Sequence, residues 1–328
     1  MDEPRQRCAL VTGIGGQDGS YLAELLLDEG VRVVGVDRPG RERPSDNLRQ
    51  IASRIELVDA DLVDPASVLA CLDQVRPHEV YHLASASFVP ASWSEPVAVA
   101  EFAAVGTTAL LEGIRAVDPS IRFFQAASAE VFGHPTEWPQ TERTPIAPVT
   151  PYGAAKAYSL FLTRTYRLRY GLHASAGILY NHESPRRPVA FVTRKIAHAA
   201  AAIKLGLQAD LELGNLDSQR DWAYAGDVVR AMRLIVRADE PGDYVVATGE
   251  CHSVRDVVEL AFSRLGLDWR AHVRVDPSLV RGGDPPRLLG DPTLARERLG
   301  WHPLVSFEEL VAMMVDADLA RLAPTAGR

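Results

Sequence analysis

The stretch from Cys8 to Arg38 constrains the fold most. Cys8-Ala-Leu-Val-Thr12 is a short apolar run with β-branched residues, bounded by glycine, and reads as a buried parallel strand. Gly13-Ile-Gly-Gly16-Gln-Asp-Gly19 follows, and residues 20–28 read as a helix ended by Gly30. Val31 to Val36 is a second strand, closing on Asp37-Arg38. Strand, glycine turn, helix, strand and acidic residue in this length make a βαβ dinucleotide unit. Its glycines let backbone N–H groups approach a pyrophosphate at the positive end of the helix. The spacing is GxxGxxG, not GxGxxG, and an ordinary tight βα turn is the plainer alternative. Asp37 stands where a carboxylate bonds the adenosine ribose, favouring NAD, whereas Arg38 beside it suits a 2′-phosphate and NADP. A solvated charged loop is the simpler reading for much of Arg41 to Arg49.

The same alternation continues. Ile55 to Val58 is a third strand leading to Asp61 and Leu62, and Asp64-Pro65 opens a helix. Val80 to Ala84 is a fourth strand with Ser85 and Ser87 at its carboxyl end, where ligands of open parallel sheets gather. A helix over residues 97–117 precedes a fifth strand, Ile121 to Ala127, and then Ser128-Ala-Glu130. Residues 135–151, rich in Pro and Thr, predict a loop reaching over the site. Pro151 opens a helix to about Tyr170, Ala174 to Leu179 is a sixth strand, and Tyr244 to Ala247 is a last strand of the main sheet. The pattern predicts a Rossmann-type, doubly wound parallel α/β sheet with a smaller C-terminal α/β lobe. Residues 1–180 form the dinucleotide-binding domain, to which segments near 214–248 return, and 181–328 form the substrate lobe.

Tyr152 and Lys156, at i and i+4, share one helix face. A phenolate base at neutral pH needs about 4 kcal/mol of help, part of which an ammonium one turn away supplies. A packed Tyr with an exposed Lys is the bland alternative.

Composition limits the partners. The 328 residues carry a net charge of −8, which argues against nucleic acid or anionic membrane but not against an anionic ligand. Three widely spaced cysteines give neither a disulfide framework nor metal-ligand spacing, so a reducing cytoplasm and no metal are expected. No apolar leader region and no 18-residue apolar span are expected either.

The glycine turn, Ser128, Glu130 and the Tyr152/Lys156 pair together resemble the extended short-chain dehydrogenase/reductases, and among them the GDP-mannose 4,6-dehydratases. The specific motifs are GIGGQDGSYLAE (Gly13 to Glu24), TPYGAAK (Thr150 to Lys156), NHESPRR (Asn181 to Arg187), FVTRKI (Phe191 to Ile196), LGNLDSQRDW (Leu213 to Trp222) and LLGDPTLARERLGW (Leu288 to Trp301). The resemblance implies conversion of GDP-mannose, or a related nucleotide hexose, to a 4-keto-6-deoxy sugar with a tightly bound, recycled NADP or NAD. Ser128, Glu130, Tyr152 and Lys156 are then catalytic. Tyr152 takes the O4 proton, Lys156 lowers the Tyr pKa and bonds the nicotinamide ribose, Ser128 bonds O4, and Glu130 removes the C5 proton and protonates the departing C6 hydroxyl. Cofactor contacts are implied at Gly13, Gly16, Gln17, Asp18, Gly19, Asp37, Arg38, Asp61, Leu62, Leu83, Ala84, Ser85, Tyr152 and Lys156. Substrate contacts are implied at Ser87, Asn181, Glu183, Arg186, Val192, Lys195, Gly214, Arg220, Arg281 and Asp284, the arginines suiting a diphosphate. A homodimer or homotetramer is also implied.

The chain departs from the family pattern in several places. Ala129 replaces a serine, Ala86 and Phe88 replace Gln and His, Asp37-Arg-Pro-Gly40 replaces an Arg-rich stretch, Ala103 replaces an acid or amide, and Arg281-Gly-Gly-Asp284 alters an Arg-Pro motif. An epimerase or 4-reductase of the same superfamily is the alternative enzyme. A catalytically silent dinucleotide-binding regulator is the alternative of another class.

Overall fold

A computed structural model of the chain describes residues 6–38, 40, 44–85, 87–280, 285 and 287–326. Seven parallel strands form the main sheet in the order β11-β6-β5-β4-β1-β2-β3. These are β1 (Cys8–Thr12), β2 (Arg32–Asp37), β3 (Glu56–Asp59), β4 (Glu79–His82), β5 (Arg122–Ser128), β6 (Ala174–Leu179) and β11 (Asp243–Val246). The strand order reverses between β1 and β4, the switch point where the carboxyl ends open a crevice.

Helices cover both faces. On one, α1 (Gln17–Asp28) and α6 (Ala225–Arg237) bury Leu22, Leu26, Val228, Met232 and Ile235 together with Trp301. On the other, α2 (Pro65–Val75) and α3 (Pro96–Val117) bury Val68, Leu72, Leu110, Leu111 and Ile114. Between them in sequence α4 (Pro151–Tyr170) and α5 (Val192–Lys204) follow, and α5 joins α7 (Val254–Arg264) and α8 (Phe307–Ala326) around a second hydrophobic cluster that includes Trp222, Phe262 and Met314. Short strands frame this second cluster: β7 (Asn181–Glu183) with β10 (Trp222–Tyr224), β8 (Leu211–Leu213) with β13 (Val273–Val275), and β9 (Gln219–Arg220) between β12 (His252–Ser253) and β14 (Arg287–Leu288).

Three details differ from expectation. The helix α3 contains one π turn, Phe102–Gly106. It also is long and apolar enough, by length and composition, to cross a membrane, contrary to the expected absence of such a span. Its inward stripe is spent on the core beside α2. Residues 135–150, expected to reach over the site, do not line the cleft. Gln140 is fully buried, donating from its backbone to Leu289 O (2.8 Å) and accepting from Tyr180 (2.8 Å) and the Leu289 N–H (3.1 Å). Glu142 accepts from the Val245 N–H at 2.7 Å, so this loop fastens the C-terminal segment to the β11 edge.

Candidate active site

The turn after β1 holds Gly13 at φ +71°, and a Cβ there would lie 2.8 Å from the Ala84 backbone. A Cβ on Gly19 would lie 2.4 Å from Gly13 O. Only glycine permits this close folding, which lays the start of α1 against the end of β4. Thr12 fixes the neighbouring strand. Its Oγ1 accepts from the Leu83 and Ala84 N–H groups (3.2 Å each) and donates to His82 Nδ1 at 2.8 Å. Burial, with Lys156 nearby, pushes the His82 imidazole down to about 3, so it is neutral.

Glu130 is presented by a single 3-10 turn, Ala129–Phe132, that begins where β5 ends. The Ser128 hydroxyl accepts from the Glu130 N–H at 3.3 Å and caps that turn. Opposite it, α4 starts with Thr150 accepting from the Gly153 N–H (2.9 Å) and with Pro151 in its first turn. A Cβ on Gly153 would sit 2.5 Å from Glu130 O, so glycine lets the Tyr152 helix close against the Glu130 turn.

Tyr152 and Lys156 are 8% and 7% exposed, which makes both ionic forms costly. Burial pushes the Tyr152 phenol up to about 12, against a hydrogen bond from Ser128 and the charge of Arg187; Glu130 adds to the rise. Burial also brings Lys156 down to about 8, opposed by Asp18. The ammonium donates to Ala126 O at 2.8 Å and lies 5.7 Å from the Tyr152 ring centre. The expected lowering of the Tyr pKa is therefore outweighed here by desolvation.

These groups face one cleft of about 1370 Å3, above the usual range for a single small ligand. Its walls include Gly13, Gly16, Gln17, Asp18, Gly19, Asp37, Arg38, Leu62, Leu83, Ala84 and Ser85 from the β1–β4 side. Ser87, Asn181, Glu183, Val192, Lys195, Gly214 and Arg220 line it from the other side, together with Ser128, Glu130, Tyr152 and Lys156. Residues 135–150 take no part in these walls. Lys195 donates to Glu212 O (2.6 Å), and Arg220 to Gln219 O (2.8 Å) and Pro285 O (2.9 Å). Asn215 also lines the cleft, with its Oδ1 accepting from the Asp217 N–H at 2.9 Å as a turn residue does.

Two expected contacts lie elsewhere. Asp61 is exposed and outside the cleft lining, its carboxylate accepting from the Val63 N–H at 3.1 Å. Arg186 turns back onto α1, bonding Glu24 (2.6 Å) and Ser20 (3.0 Å) and stacking 4.0 Å over Tyr21. Arg281 and Asp284 fall outside the described residues.

Two residues that the motifs contained, Arg187 and His182, went unassigned. Arg187, not Arg186, enters the cleft, 3.7 Å over the Phe191 ring and 3.3 Å from Glu183. His182 pairs with Asp18 at 2.9 Å and donates to Tyr180 O at 2.7 Å. Burial works against both charges, yet the pairing wins, pulling Asp18 down to about 2 and raising His182. Gln17 joins in, donating to His182 O (3.1 Å) and accepting from Ser184 (2.8 Å), so the glycine turn is bonded directly to NHES. The signal available in the sequence was that both GGQDG and NHESPRR concentrate polar groups next to buried strands. Among the described residues no group of His, Cys, Asp and Glu can hold a metal.

Comparison with known proteins agrees with this arrangement. An Arabidopsis thaliana protein, GDP-mannose 4,6 dehydratase 1, is 45% identical over 97% of this chain and 91% of its own length. The GDP-mannose 4,6-dehydratase of Sinorhizobium fredii is 43% identical over 98% of this chain and 99% of its own. Among solved structures, the Thermus thermophilus UDP-glucose 4-epimerase complex with NAD superposes with a TM-score of 0.83 at 29% identity, covering 95% of this chain and 98% of that one. The family described as GDP-mannose 4,6 dehydratase matches residues 10–314, and the chain belongs to it.

Proposed function

We propose that the protein is a nucleotide-sugar 4,6-dehydratase acting on GDP-mannose with NAD or NADP. The observation that carries this reading is Glu130 beside Tyr152 on one wall of the cleft, a second proton carrier that simple alcohol oxidation does not require. The epimerase likeness is at 29% identity, below that of the dehydratases. The site suits a dinucleotide: a glycine turn that no Cβ could share, an apolar slot of Val36, Ala60, Leu62 and Phe102, and a carboxylate at the end of β2.

When bound, NAD(P)+ supplies the two-electron oxidant at C4 and returns those electrons at C6. Everything else falls to this chain's residues. Tyr152 takes the O4 proton, and because burial opposes the phenolate, that form depends on Lys156, Ser128 and Arg187 around it. The resulting C4 ketone acidifies C5. Glu130 removes that proton and delivers one to the C6 hydroxyl, which leaves as water. Reduction at C6 and proton return to C5 then give the 4-keto-6-deoxy sugar, with no net oxidation. Lys195 and Arg220 face the nucleotide end and suit its diphosphate.

Incubation with GDP-mannose yields a 4-keto product absorbing in alkali, and UDP- or dTDP-hexoses serve as comparisons. Tyr152→Phe lowers turnover by about 10²–10⁴-fold while dinucleotide affinity stays within a few-fold. Failure of every nucleotide hexose to lose water would overturn the dehydratase reading.

We also propose a homodimer or larger homo-oligomer. It is supported by an apolar face shared by α3 and α4, described below. A cytoplasmic setting accords with three free thiols, two of them buried.

A further inference from the structure

We infer that this chain selects NAD over NADP, and that Asp37 makes the selection. The inference rests on the dinucleotide reading of the cleft and deepens it. Family resemblance alone leans towards NADP, and the adjacent Arg38 supports that choice on paper.

The local architecture points the other way. Asp37 is the last residue of β2, half-buried, and lines the cleft. Both its backbone and its side chain are held: its carbonyl accepts from the Ala60 N–H at 3.1 Å, and its carboxylate Oδ1 accepts from the Arg38 N–H at 3.0 Å. The carboxylate therefore stands beside the apolar slot of Val36, Ala60, Leu62 and Phe102 that an adenine ring would enter. A carboxylate only accepts hydrogen bonds, so it matches the two donor hydroxyls of a ribose diol.

The next strand carries carboxylates behind the cleft wall. The β2–β3 register sets Asp37 opposite Asp59, and paired strands lie about 4.8 Å apart. Asp59 is exposed, and Asp61 follows two residues later, also exposed. Both Asp37 and Asp59 engage other groups of the chain, and selection does not require them to be free. A 2′-phosphate, carrying roughly −1.5 to −2 charges, would meet the Asp37 carboxylate at the edge of the cleft against like-charge repulsion. The Arg38 guanidinium lies 5.7 Å over the Phe102 ring, on the α3 wall of the adenine slot.

The test uses the full chain stripped of bound nucleotide, titrated with NAD+ and NADP+ by calorimetry. NAD+ binds at least about tenfold more tightly than NADP+. Asp37→Ser weakens NAD+ by about tenfold and leaves NADP+ unchanged or tighter. Arg38→Ala leaves the ratio of the two affinities where it was. Equal or tighter binding of NADP+ by the unaltered protein overturns the inference, and so does an Arg38→Ala change that removes NADP+ affinity alone. Neither result touches the dehydratase reading, which stands or falls on loss of water from a nucleotide hexose.

Discussion

Lys156 carries the clearest residue-scale consequence. Its ammonium is 7% exposed, held by Ala126 O at 2.8 Å, and burial brings it down to about 8. Above that pH the group is neutral, and the positive charge that steadies a phenolate on Tyr152 is lost. Activity is therefore present below about pH 8 and falls as pH rises through it. A kcat/KM profile has an alkaline limb near that value, and Lys156→Arg, which stays charged throughout, moves the limb upward. A flat profile to pH 10 would contradict this assignment. The Tyr–Lys pair was legible because i and i+4 spacing is geometry that any helix imposes. Arg186 and Arg187 were not separable in the same way. Their backbone is irregular, and Glu24 and Ser20 on α1, remote in sequence, capture one and leave the other to the cleft.

At the scale of elements, the fit of α4 against the Glu130 turn decides how near the two proton carriers come. Gly153 lies inside α4, where alanine ordinarily stabilises a helix by about 1 kcal/mol. Here the new Cβ would meet Glu130 O at 2.5 Å and Pro148 at 3.1 Å. The helix must shift away, so Gly153→Ala lowers kcat by about tenfold or more while thermal stability falls instead of rising. Steady-state kinetics with a melting curve checks both signs, and a more stable, fully active variant would refute the close-approach argument. Local signals specified most of these elements: β1, α1 and β2 announce themselves through apolar runs and glycine, and Thr150-Pro151 marks the start of α4. The loop of residues 135–151 was misjudged because its partners are distant. Gln140 is buried by Tyr180 and Leu289, and Glu142 is held by Val245, and neither partner has a local signature. The two-residue strands β9, β12 and β14 escape sequence reading for the same reason.

For the whole molecule, the outer surface over α3 and α4 is apolar in a pattern that a monomer has no use for. Val97, Ala100, Ala104 and Thr108 recur at helical spacing along α3, and Ala154, Tyr158, Phe161, Thr165 and Leu168 along α4. Val97 is 77% exposed, Phe161 48% and Leu168 84%. The two helices are neighbours, with Thr108 Oγ1 and Tyr158 Oη 3.3 Å apart. A twofold copy places the same pair of stripes against itself, producing a four-helix packing with a self-complementary interface. The small residues on α3 accept the aromatic residues on α4. Light scattering at micromolar concentration gives at least twice the 35.8 kDa chain mass. Phe161→Glu would bury a charge at the centre of that face, raising the dissociation constant about 100-fold, equivalent to about 3 kcal/mol. The variant then runs as a monomer with an unchanged circular dichroism spectrum, because Phe161 is nearly half exposed in the single chain. A monomeric parent protein would dismiss the pairing, and an oligomer indifferent to Phe161→Glu would place the contact on another face.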